Sequence, residues 1–148
     1  MAKNLGGAII DLLDSERVDL RAAAATVLAA VGKSDKSVQN ALTGRLEDPE
    51  PAVRRIALEG LADMSASGIA AKLVPLLRGD DENLAERAAS LLAQQGAEAE
   101  STLRKEVRAG TVAARRVMAQ LLLRRGTTGA VEAVLDQLSD NEFGEQAF

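Results

Sequence analysis

The sequence predicts an all-α fold, a right-handed α-solenoid (an α-α superhelix) of about four and a half helical hairpins, and two sets of spacings carry that prediction. Leu13, Leu46, Leu77, Val107 and Leu138 lie 33, 31, 30 and 31 residues apart, each at the end of an apolar helical stretch. Leu20, Val53, Leu84 and Ala114 repeat the intervals 33, 31 and 30. Each unit therefore holds two helices, and a period in this range marks hairpins that bury their apolar faces by stacking on one another.

The chain reads as one repeat domain over residues 1–148, with units at about 4–34, 35–66, 67–96, 97–126 and an incomplete 127–148. In the first unit a helix over 4–13 leads through Asp14-Ser15-Glu16 to a second helix over 17–31, which Gly32 closes in a left-handed cap. The second unit runs from Lys36 to Leu46, turns at Glu47-Asp48-Pro49-Glu50-Pro51, and continues helically to Met64. Asp48 is the expected N-cap there, and Pro51 falls in the first turn, where its missing N–H costs nothing. The third unit has helices over 68–78 and 82–95 around Gly79-Asp80-Asp81. The fourth has helices over 97–108 and 111–125 around Ala109-Gly110, with Gly96 and Gly126 as closing residues. A fifth unit begins at Gly129, where Val131, Val134, Leu135 and Leu138 give an apolar first helix.

Helical periodicity defines the core. The second helices carry Leu20, Ala24, Val27, Leu28 and Val31 in the first unit and Ala114, Met118, Leu121 and Leu122 in the fourth, a spacing that lines one helix face. Ile9, Leu42, Leu73, Leu103 and Val134 form a column in the first helices, and Leu28, Leu61, Leu92 and Leu122 form one in the second. Aromatics amount to Phe143 and Phe148, both near the C-terminus and expected to cap the last repeat, with a partner-binding hydrophobic tag as the alternative. Leu, Val, Ile and Ala must fill the core, and small residues permit close helix packing.

Composition narrows the function. With no His and no Cys among 148 residues, imidazole and thiolate are missing as nucleophiles, bases and soft-metal ligands. No catalytic residue, cofactor or metal site is expected. A net charge of −4, an isoelectric point near 5.0 and the lack of Trp and Tyr argue against nucleic-acid binding, both electrostatically and by stacking. The opening apolar run is broken at Asp11, and nothing approaches 18 apolar residues in succession. The expectation is a cytoplasmic protein, monomeric when alone, with no membrane contact.

The segment from Leu46 to Ala57, which includes Asp48-Pro49 and Val53-Arg54-Arg55-Ile56-Ala57, resembles the HEAT-repeat consensus of an Asp-Pro turn followed by Val-Arg-x-x-Ala. Units of 30 to 33 residues and the proline-bearing helix Leu73-Val74-Pro75-Leu76-Leu77 are similar to the short repeats of the phycobilisome-lyase type. The resemblance implies that the consensus Arg, here Arg21, Arg54 and Arg115 with Ala85 in the third unit, ties turns together. The consensus turn Asp is Asp48 and Asp140, with Ser15 and Ala109 in its place elsewhere. It also implies that second helices line a concave surface. Helical geometry then sets out three columns across that surface: Ala22, Arg55, Glu86 and Arg116; Thr26, Glu59, Ser90 and Gln120; Ala30, Asp63, Gln94 and Arg124.

These columns motivate a non-catalytic scaffold or adaptor whose protein or peptide partner docks on Arg55, Glu59, Asp63, Glu86, Ser90, Gln94, Arg116, Gln120 and Arg124. The alternative implied by the resemblance is a tetrapyrrole (bilin) lyase or a lyase-like chaperone subunit. Residues 97–126 hold seven basic side chains (Arg104, Lys105, Arg108, Arg115, Arg116, Arg124 and Arg125) against three Glu, whereas 127–148 hold five acids and no base. This segregation reads either as a solvated face whose arginines pair with neighbouring acids or as a dock for an acidic segment.

Overall fold

The computed structural model describes residues 5–108 and 112–138, the side chains at 97, 98, 113 and 137 excepted. All regular structure among them is helical. The first hairpin pairs α1 (Leu5–Leu12) with α2 (Val18–Val31), and the second pairs α3 (Lys36–Gly44), extended by a 3-10 turn at Arg45–Glu47, with α4 (Pro51–Asp63). α5 (Ala70–Leu77) and α6 (Glu82–Ala93) make the third, α7 (Ala97–Glu106) and α8 (Val112–Arg125) the fourth, and α9 (Thr128–Leu138) follows. The fold is all-α and of the α-solenoid class.

Packing divides the chain into two compact units, Met1–Ala66 and Ser67–Phe148, and the division falls between the second and third repeats. In the first unit α2 lies along α4, and α1 and α3 pack on their hairpin partners. Leu13, Leu28, Leu42, Leu46, Val53, Leu58 and Leu61 are buried there. In the second unit α6 lies between α5 and α8, α7 packs on α5, α6 and α8, and α9 packs on α8 and α7. Its core includes Leu73, Leu77, Leu84, Leu92, Leu103, Val107, Met118 and Leu122.

The columns read from the sequence set these cores. Leu28, Leu61, Leu92 and Leu122 are at most 1% exposed. Leu13, Leu46, Leu77 and Val107 are buried, and Leu138 is partly so. Leu42, Leu73, Leu103 and Val134 are buried as well, with Ile9 partly covered. Two side chains depart from the expected stripe. Val27 is 42% and Val31 71% exposed, although both follow the helical apolar period. The counterpart of Val27 in the second repeat is Gly60, where a Cβ would stand 2.6 Å from the Cβ of Ala29 on α2.

Three local details also differ from the sequence reading. Gly32 is not left-handed: its φ is −95°. It is glycine because a Cβ there would stand 2.5 Å from a methyl of Val38, so the position serves close approach rather than a special turn. Gly96 and Gly126 do adopt positive φ, 75° and 64°. Asp48 is not the N-cap of α4; Glu50 is, with Pro51 opening the helix. The α3 segment also tightens into the 3-10 turn one residue before Leu46, which seats Leu46 in the core. Ala109, Asp140, Phe143 and Phe148 lie outside the described residues.

Candidate functional site

The struts that hold the second helices in place come first. Arg21 is nearly buried on α2, and its guanidinium donates from Nε and Nη2 to both carboxylate oxygens of Asp48, each at 3.0 Å. Its remaining nitrogen donates to the carbonyls of Ser15 and Glu16. One arginine thereby closes its own turn and fastens the turn of the next repeat, a planar fork meeting a planar acid. Arg54 repeats the inward half of this pattern, donating to the carbonyls of Asp48 and Pro49. Arg115, the same position in the fourth repeat, is also buried.

Asp48 has a different job from the one its sequence context suggested. Its side chain is fully buried, accepts the N–H of Glu50 at 3.0 Å, and lies 3.7 Å from Arg45. Burial by itself pushes this carboxyl up. The Arg21 hydrogen bond, the Glu50 N–H and the charges of Arg21 and Arg45 outweigh it and hold the group below the ordinary carboxylate range. The hydrogen bond to Asp48 holds Arg21 above its usual value despite desolvation.

A second set of ties was not read from the sequence. Arg45 donates to the Leu13 carbonyl at 2.8 Å and pairs with Asp14. Arg78 makes a two-pronged pair with Glu106, both bonds 2.9 Å, and Arg108 pairs with Asp136 at 2.6 Å. Arg125 donates to the Ala93 carbonyl, and Thr127 donates its hydroxyl to Glu100. The pairs Arg78–Glu106 and Arg108–Asp136 are both spaced by 28 residues, slightly less than the repeat. That interval joins an arginine just past one first helix to an acid two or three residues short of the matching point in the next. The 28-residue spacing of opposite charges was the available signal.

All nine residues proposed for partner binding are exposed. Arg55, Glu59 and Asp63 stand on α4, which packs along α2 with its column mates Ala22, Thr26 and Ala30. Glu86 and Ser90 stand on α6 and Gln94 at its C-cap, and α6 packs on α8, which carries Arg116, Gln120 and Arg124. The structure thus brings them together as two helix-pair surfaces, one in each compact unit. The Ser90 hydroxyl donates to the Glu86 carbonyl in its own helix, and the Thr26 hydroxyl does the same to Ala22. These two present little free donor capacity outward.

The basic side chains of the fourth repeat do not form one patch. Arg104, Lys105 and Arg108 line a cleft of about 630 Å³ between α7 and α9, with Ser101, Glu132, Ala133 and Asp136. Arg115 is buried, Arg125 is used by the Ala93 carbonyl, and Arg116 and Arg124 lie on the outer face of α8. Among the described residues no group of three or more acids could hold a metal ion, and no helix is long and apolar enough to cross a membrane.

Nine described helices in hairpins, buried Leu columns at a 30 to 33 residue period, and an Arg–Asp strut from helix to neighbouring turn define a helical-repeat protein. The family of HEAT repeats matches residues 8–93, and the chain belongs to it. Two engineered proteins solved by the Northeast Structural Genomics Consortium share the fold. One is 21% identical with a TM-score of 0.63, over 90% of this chain and 69% of its own length. The other is 21% identical with a TM-score of 0.62, over 90% and 68%. The comparison with curated proteins gives no match.

Proposed function

We propose that this chain is a non-catalytic scaffold that binds a protein or peptide partner through the exposed faces of its second helices, the faces expected to line the concave surface. The observation that carries the reading is the contrast across those helices. Leu61 and Leu92 are fully buried, while Arg55, Glu59 and Asp63 on α4 and Glu86, Ser90 and Gln94 on α6 are all exposed. Side chains anchored on a packed helix lose less freedom on binding than side chains on a loop, so a polar face of this kind is preorganised for contact. Mixed charge on the α4 face and basic charge at Arg116 and Arg124 suit a partner segment that carries acids. The family relationship supports the architecture and leaves the partner to be found by experiment.

The test is affinity capture from a native extract with identification by mass spectrometry, comparing wild type with an Arg55→Glu, Arg116→Glu, Arg124→Glu variant of unchanged helical circular dichroism. A partner retained by wild type and lost by the variant is the expected result. Equal capture by the two folded proteins would remove these faces from the binding site.

A further inference from the structure

The cleft between α7 and α9 belongs to the first-helix layer of one compact unit, and none of the nine residues proposed for partner binding lines it. Its two walls differ in sign. α7 contributes Arg104, Lys105 and Arg108 with the Ser101 hydroxyl, and α9 contributes Glu132, Ala133 and Asp136. Helical spacing sets both walls, since residues three and four apart share one face. Each end of the cleft is tied. A Cβ on Gly129 would stand 2.6 Å from Nη1 of Arg104, so that guanidinium lies against the first turn of α9. At the other end Arg108 pairs with Asp136 across the two helices at 2.6 Å.

Between these ties charge is left over on both walls. Arg108 spends one guanidinium nitrogen on Asp136. Arg104, Lys105 and Glu132 are exposed, and among the described residues none of the three makes an ion pair. The α7 wall thus offers donors only, and the α9 wall offers an ionised acceptor. A bare polyanion, such as polyphosphate or a nucleic-acid backbone, satisfies the first wall and is repelled by the second. An acidic peptide in extended form satisfies both, because its carboxylates meet Arg104 and Lys105 while its backbone N–H groups donate to Glu132. The spacing agrees as well. Alternate side chains of an extended chain lie about 6.5 Å apart, and Arg104 and Arg108, one turn apart on α7, are separated by about 6 Å of helix rise.

We infer that this cleft is a second docking site, which takes an acidic peptide segment of another protein in extended form along α7. The stretch from Ser101 to Arg108 spans about 10 Å of helix, the length of about three extended residues. Its volume of about 630 Å³ suits a short segment of that kind. Exposed ion pairs are individually weak, so two cations on one wall give only modest affinity. Selectivity comes from the opposite wall, where Glu132 disfavours ligands that carry acceptors and no donors. The site is independent of the second-helix faces on α4, α6 and α8, and either can exist without the other.

Amide chemical shifts of the full chain, titrated with a capped peptide of alternating Glu and Gly and separately with tripolyphosphate, test it. The peptide is expected to shift Ser101, Arg104, Lys105 and Glu132 saturably and to bind more tightly than tripolyphosphate. An Arg104→Glu, Lys105→Glu variant, with its helical circular dichroism unchanged, should raise the peptide dissociation constant at least about tenfold. Glu132→Gln should lower the tripolyphosphate dissociation constant by about threefold while moving that of the peptide less, a readout that survives if the double variant fails to fold. Tripolyphosphate held at the wild-type cleft as tightly as the peptide would overturn the inference. So would peptide binding unmoved by the folded double variant, or peptide shifts confined to Arg116 and Arg124. Cleft shifts that appear only after Asp140→Asn, Glu142→Gln and Glu145→Gln changes would make residues 139–148 the occupant and overturn it equally.

Discussion

Asp48 shows how much one side chain can do in a fold without a large aromatic core. Its two oxygens receive the fork of Arg21 from one repeat while its position fixes the Pro49 turn of the next, so a single carboxylate joins two hairpins. Because the folded state holds this group below the ordinary carboxylate range, the unfolded chain binds its proton more readily. The stabilisation is therefore fully present above the unfolded value, about 4, and is lost as pH falls through the lower folded value. Melting temperature should drop steeply on acidification below about pH 4, and an Asp48→Asn variant should start lower at neutral pH and show a shallower acid limb. Parallel acid limbs for the two proteins would mean that other carboxylates govern acid unfolding. Ser65 is a second informative residue. It has a φ of 50° just past α4, where the later second helices carry Gly96 and Gly126, and Ala66 N–H reaches back to the Leu61 carbonyl at 3.0 Å. This is the six-to-one bond of a Schellman cap, whose left-handed residue favours glycine. Ser65→Gly should stabilise the chain by about 0.5–1 kcal/mol, after the added backbone entropy of glycine is set against the relieved strain. A lower melting temperature for that variant would show that the serine side chain makes up for its strained backbone.

At the scale of elements, what was legible in the sequence and what was not separate along a physical line. The hairpins, their order and their core columns were legible because burial at a fixed period leaves Leu where Leu must be: Leu28, Leu61, Leu92 and Leu122 differ little in exposure across four repeats. The Arg21–Asp48 tie was legible only through the resemblance, since its spacing of 27 residues is not the period. The pairs of Arg78 with Glu106 and Arg108 with Asp136 were missed for the same reason, and the segregated charge of the last repeats is partly used in them. Val27 and Val31 are exposed although they follow the period, because helical periodicity names the face of a helix that is apolar and not how far that face is covered. Gly32 was misread because a glycine at a helix end serves either a left-handed cap or a close contact, and only the position of Val38 distinguishes them. Of the candidate site, what was legible is exposure: its nine residues, on α4, α6 with its C-cap, and α8, are all exposed. Sequence columns say nothing about which hydroxyls are already spent, and the internal bond of Ser90 is such a case.

For the whole molecule, a stack of hairpins distributes stability by neighbours, because each repeat is held chiefly by those it touches. A helix that buries few side chains should open before one that buries many, and the two helices of the first unit that best show the contrast are α1 and α4. No residue of α1 from Leu5 to Leu12 is buried, and Leu5 and Leu12 are exposed. α4 buries Val53, Ala57, Leu58, Gly60 and Leu61, and its turn is fastened by Asp48 and Arg54. Opening α1 uncovers little apolar surface, whereas opening α4 uncovers much of the core of its unit, and native-state exchange reports such differences as separate opening free energies. Amide hydrogen exchange at neutral pH should therefore find the α1 amides among the fastest-exchanging helical amides and those of α4 from Val53 to Leu61 among the slowest. Equal protection of α1 and α4 would contradict this account.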